Sequence, residues 1–142
     1  MDNRLNIQKS ALEKLTAERT ETHLWDCVVT FQNIPFRTAS GLPFQYQLKV
    51  GRNGSYNKEL LIDRRKESKS LAWSSILLAF RRVVENENGI FFADRPKALG
   101  DIRGVSYIYP LFYRFGLIAV PDKIKEKMEE KEGEENGTKE TF

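Results

Sequence analysis

The alternation of apolar and polar side chains is cleanest between Phe44 and Val50. Phe44, Tyr46, Leu48 and Val50 take one parity and Gln45, Gln47 and Lys49 the other, the period of two of a half-buried strand. Gly51-Arg52-Asn53-Gly54-Ser55 follows, and Asn-Gly between two strand-like runs is a strong hairpin signal. The return strand is predicted over Lys58–Arg64, its facing left open by the consecutive Leu60, Leu61 and Ile62. Trp25, Cys27, Val29 and Phe31 alternate with Asp26, Val28 and Thr30, so Trp25–Phe31 reads as a further strand. Ile34–Thr38 is a short extended piece, closed by the Ala39–Pro43 turn with its Gly41. Three to four strands in close succession predict an antiparallel meander.

The helical period takes over next. Trp73, Ile76, Leu77, Phe80, Val83 and Val84 lie at i, i+3, i+4, i+7, i+10 and i+11, one apolar stripe. This predicts a main helix from about Ser70 to Asn86, with Ser68 or Ser70 at its N-cap and Gly89 past its end. Ile90–Ala93 reads as a further short strand. A second, aromatic helix is expected between Ser106 and Phe115, starting nearer Ile108 so that Pro110 falls in its first turn. Near the start, Ser10 and Glu13 fit a capping box, and a narrow helix should run from Ser10 to about Glu21. The fold class is therefore α+β: an antiparallel sheet of three to four strands packed on one main helix, with a second short aromatic helix. Residues 1–9 read as a flexible arm, 10–120 as a single domain, and 121–142 as a charged acidic tail, partly disordered.

Composition narrows the function classes. A length of 142 residues suits one domain. No apolar run reaches the roughly 18 residues of a membrane span. One cysteine and one histidine exclude an internal disulfide, a cysteine-rich zinc site and His–His metal motifs, and disfavour a catalytic triad. Neither a Walker loop nor a G-x-G-x-x-G pattern is present, so no cofactor is expected. These features suit a soluble protein of a reducing compartment, the cytoplasm. The net charge of +3 conceals a split. Residues 1–29 carry four basic and five acidic side chains, residues 30–120 fourteen and seven, and residues 121–142 five and eight. A basic body attracts polyanions through counterion release.

Four groups of residues are candidates for chemistry. Lys49, Arg52, Lys58, Arg64, Arg65, Lys66 and Lys69 would neutralise phosphates, while Gln45, Gln47 and Asn53 have the amide groups that read base edges. On this reading the hairpin is a β-ribbon that enters a DNA groove. Ser68 and Ser70 at a helix start, and Arg103 and Ser106 around Gly104, are candidate anion sites through free backbone amides. Tyr107, Tyr109, Phe112, Tyr113 and Phe115 form an aromatic helix that would be core, a base-stacking surface or a protein-binding surface. Glu67-Ser68-Lys69 with Asp63 has the residue types of a metal nuclease site, although such a triplet is frequent by chance in a chain this rich in charge. The leading expectation is a non-enzymatic nucleic-acid-binding or regulatory protein, DNA favoured over RNA. The rivals are a protein-interaction module (an inhibitor or assembly factor) and, more distantly, a nuclease.

Overall fold

The computed structural model describes residues 2–64, 68–86 and 89–129. In chain order the elements are α1 (Asp2–Ala17), α2 (Glu21–Thr30), β1 (Phe36–Arg37), β2 (Pro43–Val50), β3 (Tyr56–Asp63), β4 (Ser68–Ala72), α3 (Trp73–Val84), β5 (Phe91–Phe92), a 3₁₀ turn (Pro96–Leu99), α4 (Val105–Arg114) and β6 (Ile118–Ala119). Residues 122–129 are also helical. The four strands β1-β2-β3-β4 form one antiparallel sheet in that order, so the α+β meander expected from the pattern is present.

The strand expected at Trp25–Phe31 is a helix instead. Leu24, Cys27, Val28 and Phe31 are buried, and their spacing of three, four and seven is helical. Thr20 caps the helix by accepting a hydrogen bond from the His23 amide at 3.2 Å. The same segment satisfies both periods, and burial against α1 decides for the helix: the Cys27 thiol donates to the Ala11 carbonyl at 3.4 Å. Helix α1 runs back through the residues expected as a flexible arm, so Ser10 lies inside it rather than at its cap.

Helices cover one face of the sheet. Tyr46 pairs with Ile62, and Leu48 with Leu60, which in turn pairs with Leu71; all five side chains are buried. The second correction concerns Ser68 and Ser70. They belong to β4, paired with Asp63 and Leu61, and α3 begins later, at Trp73, with Ala72 as an N-cap that provides no side-chain bond. The helix ends at Val84 and its stripe is the one expected, with Ile76, Phe80 and Val83 buried.

Helix α4 is the centre of the core. Phe44 meets Tyr107 at 5.2 Å between ring centroids, Phe31 meets Phe115 at 5.3 Å, and Phe80 meets Phe112 at 6.4 Å. The helix thus touches the sheet, the end of α2, and α3. It starts at Val105 behind Gly104, which has φ +83°, so Ser106 is not its cap and Pro110 lies in its interior. Proline there removes one helical hydrogen bond. The carbonyl deprived of its donor is that of Ser106, whose residue is exposed to water. Strands β5 and β6 flank α4 in sequence and pair in parallel, Phe91 with Ile118 and Phe92 with Ala119. In the segment expected as a tail, residues 122–129 form a helix that buries Met128; residues 130–142 lie outside the described residues.

Candidate nucleic-acid interface

Strand parity decides which of the expected contact residues share a surface. Gln45, Gln47 and Lys49 of β2 lie on the sheet face turned away from the helices, with Glu59, Leu61 and Asp63 of β3 and Ser68, Ser70 and Ala72 of β4. The lone cation of this group is already compensated. The Lys49 ammonium lies 3.2 Å from the Glu59 carboxylate and donates to the Ser70 hydroxyl at 2.9 Å. Hydrogen bonds from Ser70 and Lys49 hold the Glu59 carboxyl below its ordinary value. With Asp63 also present, the face has more acidic than basic groups. A shallow depression of about 260 Å³ opens on it, lined by Gln45, Gln47, Asp63 and Ser68 among others. Its chemistry is that of amides and a carboxylate, not of a phosphate cradle. Ser68 and Ser70 are strand residues here, so the helix-terminus argument for anion binding does not apply to them.

Lys58, Arg64 and Lys69 have the opposite parity. Lys58 precedes Leu60 by two, Arg64 follows Ile62 by two, and Lys69 pairs with Ile62. The expected basic surface is therefore divided between the two sides of the sheet. Arg64 is half-buried and structural: it donates to the Tyr107 hydroxyl at 2.6 Å. Arg65, Lys66 and Glu67 lie outside the described residues, and with them the nuclease-like triplet. Among the described residues no cluster of three His, Cys, Asp or Glu groups that could hold a metal ion is found. Arg103 and Ser106 are exposed on either side of Gly104, without the capping role expected of Ser106.

The hairpin between β2 and β3 is different. Residues 52–58 are all exposed. The turn is held from within: Gly51 donates to the Ser55 carbonyl at 2.8 Å and Gly54 to that of Gly51 at 3.0 Å. The Asn53 side-chain oxygen accepts from the Ser55 amide at 3.0 Å, so its acceptor is used to shape the turn rather than left for a base. Arg52 and Lys58 of this hairpin have no carboxylate within salt-bridge distance among the described residues, and the same holds for Lys69 on the β4 edge. The Lys58 ammonium instead stands 3.6 Å from the ring centre of Trp25 and 5.4 Å from that of Trp73. The two indoles meet edge to face, 4.9 Å apart at 77°, and both are half-buried.

Sequence reasoning misses this tryptophan pair. The period of two puts Trp25 on a strand, the helical period puts Trp73 on the apolar stripe of the main helix, and no local signal joins them. The aromatic helix, by contrast, is mostly core: Tyr107, Tyr109, Phe112 and Phe115 are buried, Tyr109 donates to the Ala93 carbonyl at 2.7 Å, and only Tyr113 of the five is half-buried, its hydroxyl donating to the Glu129 carboxylate at the surface. A cleft of about 730 Å³ beside it contains Arg37 and Arg114. Each donates to a backbone carbonyl, Arg37 to Gly41 at 2.9 Å and Arg114 to Pro35 at 3.0 Å. Among the described residues no helix is long and apolar enough to cross a membrane. A scan against protein-family models finds none that matches, and searches of curated proteins and of solved structures find no match either.

Proposed function

We propose that the chain is a small non-enzymatic nucleic-acid-binding or regulatory protein, DNA its favoured ligand, and that the β2–β3 hairpin is its contact element. The observation that carries this reading is that Arg52, Lys58 and Lys69 are exposed and have no carboxylate within salt-bridge distance among the described residues, Arg52 in the hairpin turn and Lys58 on its return strand. Exposed cations without a carboxylate partner are free to displace counterions from phosphates. The hairpin belongs to a sheet flanked by β1 and β4, so only its end, not a free two-stranded ribbon, is available to a groove or a strand. Gln45 and Gln47 are removed from the contact set because they lie on the other face, beside Asp63. Partner binding through Tyr107, Tyr109, Phe112 and Phe115 would require the core to open.

The test is fluorescence anisotropy with labelled single- and double-stranded DNA and RNA across a salt titration. Affinity is expected to fall steeply with salt, by about 0.9 logarithmic units per tenfold salt for each duplex phosphate contacted. Arg52→Glu with Lys69→Glu should weaken binding at least about tenfold, and Gln45→Ala with Gln47→Ala should leave it unchanged. Absence of binding by the wild-type protein at low salt overturns the reading.

A further inference from the structure

The geometry points to a site for one unpaired nucleotide at Trp25, Trp73 and Lys58, an inference that rests on the nucleic-acid reading above and specifies the ligand it takes. Three observations converge there. Two half-buried indoles from different helices meet edge to face. Over the Trp25 ring, 3.6 Å from its centre, lies the ammonium of the exposed Lys58. No carboxylate among the described residues neutralises it.

An exposed cation–π contact is a weak tether, and a phosphate is the stronger partner for an ammonium. A ligand carrying both a flat π-system and an adjacent anion would therefore exchange with Lys58. The ammonium would swing to the anion, and the uncovered face of Trp25 would receive the ring. A nucleotide supplies both groups at neighbouring positions. An aspartate or glutamate side chain has no ring of its own, and a neutral sugar lacks both the charge and the π-system. The nucleotide must be unpaired, because bases within a duplex are stacked on one another and expose only their edges.

The chain has two tryptophans, and both are in this site, so intrinsic fluorescence reads it directly. The experiment titrates the full-length protein with a short oligothymidylate, with a duplex of matched length, and with heparin as a polyanion without bases, while anisotropy of the labelled oligonucleotide reports total binding. The expected result is quenching by the single strand alone. Lys58→Ala, a change at an exposed position, should weaken single-strand binding about tenfold and flatten its salt dependence by about one phosphate contact. Trp73→Leu, checked for folding by circular dichroism, should weaken it by about tenfold or more. Oligonucleotide binding without quenching, and with unchanged affinity in Lys58→Ala, overturns the site and leaves the hairpin reading in place. Equal quenching by heparin overturns the stacking step, since an anion alone then suffices. No binding of any nucleic acid at low salt overturns both.

Discussion

Gly104 turns the chain into α4 at φ +83°, and a Cβ built there would come within 2.5 Å of the Leu71 Cδ1 atom. Leu71 is buried in the sheet, so its side chain has little room to withdraw. Gly104→Ala is expected to cost about 1–3 kcal/mol, part from the left-handed backbone and part from overpacking, seen as a lower urea midpoint at unchanged slope. A second residue-scale consequence follows from hydroxyl and thiol burial. Burial pushes the Cys27 thiol from 9.0 up to about 12 and the Tyr109 phenol from 10.0 up to about 12, and Tyr46 moves the same way. Above about pH 9 the unfolded chain releases protons that the native chain retains. Stability should therefore be insensitive to these groups below about pH 9 and fall between about pH 9 and 12. Urea midpoints measured across that range test this; a flat profile would contradict the burial of these groups. Site chemistry at this scale was half legible. Arg52 and Lys58 stand out as cations in the chain, but their separation from Gln45, Gln47 and Lys49 depends on strand facing. The run of Leu60, Leu61 and Ile62 conceals that facing, because a single-residue shift inverts every side chain.

Among the elements, those with one wet face were readable. Strand β2 alternates because the face holding Gln45 and Gln47 meets solvent, and α3 shows its stripe because Leu78 and Arg82 lie outside it. Helix α2 was not readable, since Trp25–Phe31 fits both a two-residue and a helical period, and only packing against α1 separates them. Helix α4 misleads differently: it is buried on nearly every side, so no stripe marks its ends, and Pro110 draws the expected start too late. Helix α3 carries a correctable weakness. Its N-cap is Ala72, in the extended conformation suited to a cap but without a side-chain acceptor. Ala72→Ser should add about 0.5–1 kcal/mol and raise the melting temperature by a few degrees. An unchanged melting temperature would mean that the introduced hydroxyl fails to reach the amides of the first turn.

On the scale of the whole molecule, the C-terminal boundary of the folded body lies further along than charge alone suggests. Met128 is buried and the Tyr113 hydroxyl donates to the Glu129 carboxylate. Truncation after Val120 should cost about 1.5–3 kcal/mol for the lost methionine burial alone, whereas a chain ending at Glu129 keeps both contacts. The second truncation also removes five acidic and two basic residues, and is expected to tighten nucleic-acid binding at low salt, read by the same anisotropy titration. Unchanged affinity would discount residues 130–142 as an electrostatic competitor.

The central position of α4 has a consequence for how the molecule opens. A helix held on one side by the sheet and on others by α2 and α3 cannot be uncovered by local fluctuation, whereas the first turns of α1 leave Leu5 and Ile7 exposed, at 65% and 57%. Backbone amides of α4 should therefore exchange their hydrogens for deuterium only at the rate set by global unfolding, and those at the start of α1 orders of magnitude faster. The β2–β3 turn should sit with the fast group, so the surface proposed to meet nucleic acid can adapt its shape without disturbing the helix on which the fold depends.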